Sequence, residues 1–372
     1  MSTYDVAVIG AGIAGAGVAW ALAQDQRVVL IEGEERPGYH TTGRSAAVYL
    51  KGYGNEVIRD LTGASEAFLE QPPNGFASAR LVKSRGALSL VRPDQIERLE
   101  PTLQRLHQHV PSARRLDARE VLAMVPALNP DYATAGILDP EARDMDVDAL
   151  FQGYLRGYRN RGGKLMVDAP VRRLERKSGT WRIDAGDNAL KAPIIVNAAG
   201  AWADRLAELA GLAPIGLVPK RRTALIVAGP TDADVSTWPV VDDIDEQFYF
   251  RPEAGKLLCS PADETPSEPC DARPEELDIA IAIDRIEKAL PLDVQRVEHS
   301  WAGLRTFAPD KTPVLGIDPR AQGFFWLAGQ GGYGIQTAPA MALLASRLVA
   351  GEMAPAELAH LVAMLSPERL LH

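Results

Sequence analysis

The feature that most restricts this chain lies at its start. Tyr4-Asp-Val-Ala-Val-Ile9 is a short apolar run suited to a buried parallel strand. It leads into Gly10-Ala-Gly12-Ile13-Ala14-Gly15, a G-x-G-x-x-G pattern, and then into a helical stretch of small apolar residues ending near Gln24. Arg27 to Ile31 reads as a second buried strand. Strand, glycine turn, helix and strand within about 30 residues form the unit of a doubly wound sheet. Gly10 permits the tight turn, Gly12 lets a pyrophosphate approach the backbone, and Gly15 lets helix and strand pack closely. The helix start at Ile13 and Ala14 supplies amides and a partial positive charge for an anion. Glu32 closes the second strand about 20 residues after the first glycine, where a carboxylate holds both ribose hydroxyls and repels a 2′-phosphate. NADP is thereby disfavoured, and on this motif alone the dinucleotide is NAD or FAD.

The rest of the composition narrows the setting. At about 150 residues per domain, 372 residues make two or three domains. The apolar fraction of 46% and charged fraction of 24% match soluble globular chains and exclude disorder or a coiled coil. Forty basic against 49 acidic residues leave a net charge of −9, so no global field draws nucleic acid or an anionic membrane surface. Two cysteines, Cys259 and Cys270, are too few for a thiolate cluster and read as reduced thiols. The histidines form no metal-ligand pattern, so no metal is expected. Val6 to Gln24 carries no charge and is almost long enough to span a bilayer. Its glycines Gly10, Gly12, Gly15 and Gly17, and the absence of a basic stretch before it, argue against a span or a signal peptide. A cytoplasmic protein without an integral membrane segment is expected.

Further along, Asp146 to Arg161 has helical periodicity with Asp146 as N-cap and Gly162-Gly163 as its stop. Lys164 to Val167, Val171 to Glu175 and Ile194 to Asn197 read as strands, the last running through Ala-Ala-Gly-Ala-Trp202 into a helix. Leu217 to Ala228, Gln247 to Arg251 and Lys256 to Cys259 look like an antiparallel sheet, crossed by a helix over Pro274 to Leu290. Gly323 to Ala328 is a strand leading into Gly329-Gln-Gly-Gly-Tyr-Gly334, which is expected to open a last long helix. The fold class is therefore α/β. A Rossmann-like dinucleotide domain (1–78, 137–215 and 301–372) is interleaved with an antiparallel-sheet α+β substrate domain (79–136 and 216–300).

Longer segments carry a resemblance. Pro37-Gly-Tyr-His-Thr-Thr-Gly-Arg-Ser-Ala-Ala47, Val196-Asn-Ala-Ala-Gly-Ala-Trp202, Pro219-Lys-Arg-Arg222, Trp301-Ala-Gly-Leu-Arg305 and Gln330-Gly-Gly-Tyr-Gly-Ile-Gln-Thr337 are similar to the D-amino-acid oxidase/dehydrogenase-like flavoproteins, which include glycine and sarcosine oxidases. Within that family the chain looks nearest to bacterial D-arginine (broad-specificity D-amino acid) dehydrogenases. The resemblance implies non-covalent FAD. Thr42, Arg44, Ser45, Ala46 and Ala47 would lie beside the flavin, and Val171 would hold the adenine side by its backbone. Ala199, Gly200, Trp202 and Gly303 would approach from the other segments. The run Gly331, Gly332, Tyr333, Gly334, Ile335 and Gln336 would complete the cofactor site. Cys259 does not match the position where sarcosine oxidases attach FAD covalently.

The same resemblance implies oxidative deamination of an amino acid, with oxygen or a quinone as electron acceptor. Arg305 and Arg222 can each pair with a substrate carboxylate, and Tyr53 and Tyr249 match positions that present phenols to the substrate. Val48 departs from the family's polar residue there and makes that side of the pocket apolar. The segment Leu81 to Leu90 carries two bases and no acid, so neutral side chains are expected to be preferred over cationic ones unless an acid from another segment, such as Asp242, Asp243 or Glu246, enters the pocket. Rival expectations are a glycine/sarcosine-type amine or 2-hydroxy acid as substrate, or a flavin-binding subunit that turns over only with a partner.

Overall fold

The computed structural model describes residues 2–371. Its centre is a six-stranded sheet in the order Lys164–Met166, Val28–Ile31, Val6–Ile9, Ile194–Asn197, Phe324–Ala328, Val314–Ile317. All neighbours run parallel except the last strand, which closes one edge antiparallel. Successive side chains point to opposite faces, and both faces are covered. Val6, Val8, Val28 and Leu30 pack under the helices Ile13–Leu22, Val147–Asn160 and Ala338–Val349. Ala7, Ile9, Val29 and Ile31 pack against Leu174, Trp181, Ile183 and Leu190 of a second, four-stranded sheet. Continuous apolar runs rather than alternating ones follow from burial on both sides.

A third, nine-stranded sheet belongs to the inserted segments. Its main path includes Val218–Val227, Lys256–Ser260, Tyr249–Glu253, Val240–Asp243, Ala87–Val91, Ala135–Asp139 and Arg114–Asp117, with His299–Phe307 paired along Val218–Val227. One face is core. Leu225, Cys259, Phe250, Val241, Leu88 and Leu138 lie in register across the strands and pack in one apolar cluster with Ala282 and Ile286 of the Glu276–Ala289 helix. The other face looks toward the ends of the central sheet. The α/β architecture is as the sequence indicates, but the expected divisions at 137 and 301 fall inside the strands Ala135–Asp139 and His299–Phe307. Ladder pairing commits each of these strands whole to the third sheet.

A second difference concerns the C-terminal glycines. Gly331 to Gly334 do not open the last helix. They form turns, with Gly331 at φ 54°, and the helix begins at Ala338 with Pro339 in its first turn. Proline fits there because a first-turn amide has no intrahelical partner to lose. No helix among the described residues is long and apolar enough to cross a membrane.

Candidate active site

Between the central sheet and the exposed face of the third lies one cavity of about 1080 Å³. It is long and has two chemically distinct ends. Every residue expected at the site lines it except Gly15. A Cβ on Gly15 would stand 1.8 Å from the Gly10 carbonyl oxygen, so this glycine serves helix–strand contact and never faces the cavity.

The first end is built from backbone. Gly10 has φ 99°, and a Cβ there would lie 2.3 Å from the Ala198 carbonyl, so only glycine makes this turn. Ala198 is held there by its amide, which donates to the Ile9 carbonyl, and Asn197 braces the following turn through Nδ2 to the Ala203 carbonyl at 2.8 Å. The Ala11 amide donates to Glu32 Oε2 and the Ile13 amide to Thr42 Oγ1, each at 2.9 Å. The amides of Gly12 and Ala14 have no partner among the described residues, and both residues face the cavity. Glu32 and Val171 line the same end. His40 bonds Glu34 at 2.9 Å and stacks its ring 4.6 Å from that of Trp202.

The segment Thr41 to Ala47 runs from this end toward the other and is sewn to the His299–Phe307 strand. Thr41 Oγ1 donates to the Leu304 carbonyl at 2.7 Å, and Trp301 Nε1 donates to the Arg44 carbonyl at 2.9 Å. The Arg44 guanidinium donates to the carbonyls of Ala272 and Ala302 and pairs with Asp271. Its charge is thus already committed to protein partners. Gln336 is committed as well: its side chain accepts from the Leu50 amide and donates to Thr62 Oγ1.

The second end is built from side chains. Arg305 stands on the cavity face of its strand, and no carboxylate pairs with it among the described residues. Burial works against its charge, but the phenols of Tyr249, Tyr53 and Tyr333 surround it and hold its pKa above the usual arginine value. Tyr53 and Tyr333 meet edge to face at 4.9 Å, and burial pushes both phenols up. Gly332 makes room for the guanidinium, since a Cβ there would approach Arg305 Nη1 to 2.8 Å. Arg222, 8% exposed, is different. Its Nε donates to the Asp263 carbonyl at 2.8 Å and its Nη2 lies 3.5 Å from Glu264. A carboxylate entering this end would find Arg305 without a carboxylate partner and Arg222 partly engaged.

Val48 lines the cavity as an apolar residue and packs beside Ala87, Ala142 and Val240. The expectation of a wall without acids is overturned. Of the segment Leu81 to Leu90, only Ala87 and Ser89 face the cavity, while Arg85 is tied to Asp144 and to the carbonyls of Ser236 and Trp238. Acids come instead from elsewhere: Asp242 on the strand along one edge of Ala87–Val91, Asp139 on the strand along its other edge, and Glu246 in the turn that follows Asp242's strand. Strand pairing between distant segments puts them there, and no local pattern announces it.

The residues present fit a flavin dinucleotide. The free amides of Gly12 and Ala14 suit a pyrophosphate and Glu32 suits the ribose. Thr306 Oγ1 and Gln330 Nε2, on two residues that line the cavity, are buried without a hydrogen-bond partner. Buried polar atoms of this kind call for a ligand.

Comparison with known proteins agrees. The family described as FAD dependent oxidoreductase (DAO) matches residues 5–348. Human mitochondrial dimethylglycine dehydrogenase is 25% identical over 89% of this chain, which spans only 40% of that protein. Glycine oxidase of Geobacillus kaustophilus is 25% identical over 93% of both chains. Its crystal structure superposes with a TM-score of 0.85 at 23% identity, covering 97% of this chain and 98% of that one. L-proline dehydrogenase from P. horikoshii superposes with a TM-score of 0.84 at 20% identity, over 99% and 98%. These are glycine-type and L-amino acid enzymes rather than the D-arginine dehydrogenases that the sequence segments suggested. The match over nearly the whole chain settles the family: this is a DAO-family FAD-dependent oxidoreductase, with FAD as its cofactor.

Proposed function

We propose that the chain oxidises the Cα–N bond of a small amino acid, glycine-type or a D-enantiomer, to an imino acid that water converts to a 2-oxo acid and the amine. The observation that carries this reading is Arg305, a half-buried arginine with no carboxylate partner among the described residues, ringed by three phenols in the same cavity as the dinucleotide motif. A charge in that position favours a carboxylate from outside, through a charge-assisted pair. Gly332 leaves room for the guanidinium, and the Tyr53 and Tyr249 phenols line the cavity beside it. When bound, FAD supplies the acceptor for the hydride leaving Cα. The protein's task is then positioning: pinning the carboxylate fixes which Cα–H faces the cofactor.

The names of the relatives support a substrate with a nitrogen and a carboxylate on one carbon, which glycine and dimethylglycine share. The hand is not chosen by the fold, because an L-proline dehydrogenase has the same one. The D-reading rests on the sequence segments quoted above. The test is anaerobic bleaching of the bound flavin by glycine, sarcosine, dimethylglycine, D- and L-alanine and D-lactate. Bleaching by glycine and D-alanine but not L-alanine or D-lactate is expected. Bleaching by D-lactate alone would replace the amine with a 2-hydroxy acid. Re-oxidation by air or by a quinone then identifies the class of electron acceptor.

A further inference from the structure

Ser89, Asp242 and Tyr249 lie side by side in one row across three strands, on the cavity face of the third sheet. Leu88, Val241 and Phe250, the next row along, point the other way into the core. Asp242 therefore opens to the cavity. Both of its oxygens accept from the same donor, Ser89 Oγ, at 3.1 and 3.2 Å, and no arginine or lysine forms an ion pair with it among the described residues. An ionised carboxylate has about four acceptor sites, so most of its capacity is unused. Asp243, the next residue, shows the contrast. It points away, is fully buried, and is saturated by Arg92, by Gln95 Nε2 at 3.0 Å and by the Asp245 amide at 2.9 Å. One of two consecutive acids holds the fold and the other is left open beside Ala87 and Val240, which make the adjoining floor apolar.

We propose that Asp242, oriented by Ser89, is the cavity's receptor for a positively charged nitrogen of the substrate. This rests on reading Arg305 as the carboxylate site and names the group that binds away from it. The nitrogen has two sources, the α-ammonium or an ammonium or guanidinium on the side chain. In the first case Asp242 takes the proton that the α-nitrogen must lose. The N–H bond breaks and an O–H bond forms. The pair left on nitrogen then becomes the second bond of C=N as the Cα hydride departs to the flavin. In the second case Asp242 acts as an ion-pair partner and selects cationic side chains.

The groups facing Asp242 support this. Ser89 and Tyr249 flank it, Asp243 follows it on its own strand, and Glu246 lies in the turn. Burial pushes Asp242 up to about 8, Glu246 and Asp243 push the same way, and only hydrogen bonding from Ser89 and the backbone opposes them. A cation seated beside it pulls the carboxyl back toward ionisation. Cation binding below that pH thus releases a proton, and affinity rises as pH rises toward 8.

The test uses the FAD-loaded protein and its Asp242→Asn and Ser89→Ala variants. Ethylammonium and acetate are titrated separately, following the flavin absorption spectrum, so binding is read without turnover. Acetate affinity should hold in both variants. Ethylammonium affinity should fall at least ~10-fold in Asp242→Asn and less in Ser89→Ala, the scale of a hydrogen bond to a charged group. For the unmodified protein it should tighten from pH 6 to 8. Anaerobic flavin reduction by D-alanine and D-lysine then separates the sources. Loss with both in Asp242→Asn assigns the α-ammonium, and loss with D-lysine alone assigns the side chain. Ethylammonium that fails to bind, or binds the Asp242→Asn variant equally well, overturns the proposal. Intact ethylammonium and acetate binding with no reduction by any amino acid overturns the proposed reaction and leaves this receptor standing.

Discussion

The two ends of the cavity are made by different means. At the dinucleotide end the lining is backbone: amides at Gly12 and Ala14, a turn that only Gly10 can make, and one carboxylate, Glu32, itself anchored by the Ala11 amide. At the other end the lining is side chains, Arg305, Arg222, Tyr249 and Asp242, each delivered by a different strand of one sheet, and this is the end proposed to take the substrate. The first arrangement accepts one ligand and tolerates little change in geometry. The second can alter its ligand by altering single residues, because the strands keep their register whatever the cavity-facing side chain is. That division explains how closely similar folds serve glycine oxidation and L-proline oxidation.

If the division is right, changes at the substrate end alter turnover and leave cofactor content intact. The largest effect is expected from Arg305→Ala. It removes a cavity-facing cation that has no carboxylate partner among the described residues and should lower kcat/KM for the best amino-acid substrate by about two orders of magnitude or more, the scale of charge-assisted pairs in a dry site. FAD content after gel filtration should stay near stoichiometric. A variant that loses FAD together with activity would show that the two ends are not separable.

The converse change is Glu32→Ala. FAD affinity should weaken by about 1–3 kcal/mol, the range for hydrogen bonds to a charged group, measured by equilibrium dialysis or flavin fluorescence on release. At saturating FAD, kcat and KM should stay close to those of the unmodified protein. Part of the loss will come from the freed Ala11 amide rather than from the ribose, because Glu32 serves both. Glu32→Gln, which keeps an acceptor for that amide, should therefore lose less.

Gly332→Ala sharpens the comparison, because the glycine belongs to the backbone-built set yet guards a side chain. Its φ lies outside the left-handed region, so alanine is allowed by the backbone and conflicts only with Arg305 Nη1 at 2.8 Å. Displacing the guanidinium should lower kcat/KM by ~10-fold, about 1.4 kcal/mol. In the Arg305→Ala background the same change should have almost no effect, since the two residues share one interaction. Additive losses in the double variant would show that Gly332 acts on something else.

The two ends also differ in how far the sequence reveals them. Motifs contiguous along the chain are legible: Gly10 to Gly15 with Glu32, the Thr41 to Ala47 segment and the Gly331 to Gln336 run all reach the cavity, apart from Ala11, Gly15 and Gly43. So is Arg305, which sits inside a long segment of family resemblance. Asp242 was not placed by its sequence. Its neighbours Asp243, Ile244 and Asp245 give no sign of which acid faces in. The answer depends on parallel pairing with Ser89 from a segment about 150 residues away, and a one-residue slip would exchange Asp242 for Asp243. Arg44 and Gln336 line the cavity but show the reverse relation. Motif position marks them for the cofactor, while their side chains bond to other parts of the chain. The turn at Gly331 to Gly334 has the sequence form of a helix start, because glycine followed by a small-residue helix has that form at Gly10. Only the proline at 339 marks the later start.

The smallest effect is expected at Arg222, and it tests the comparison within the substrate end. Sequence alone ranks Arg222 with Arg305, since both fall in family segments and both can pair with a carboxylate. Their surroundings separate them. Arg222 gives its Nε to the Asp263 carbonyl and leans its Nη2 toward Glu264, so part of its donor capacity is used before any substrate enters. Glu264 in turn keeps Lys220 at 2.9 Å and Lys311 at 3.8 Å, so removing Arg222 leaves no uncompensated acid. Arg222→Ala should therefore lower kcat/KM by about 5–10-fold, near 1 kcal/mol and mostly through KM, as for loss of one partly engaged hydrogen-bond donor. Glu264→Gln frees Arg222 from its acid and should move KM the opposite way, toward tighter substrate binding. Equal losses at Arg222 and Arg305 would mean that Arg222 leaves Glu264 when the substrate binds, and that the carboxylate is held by two arginines after all.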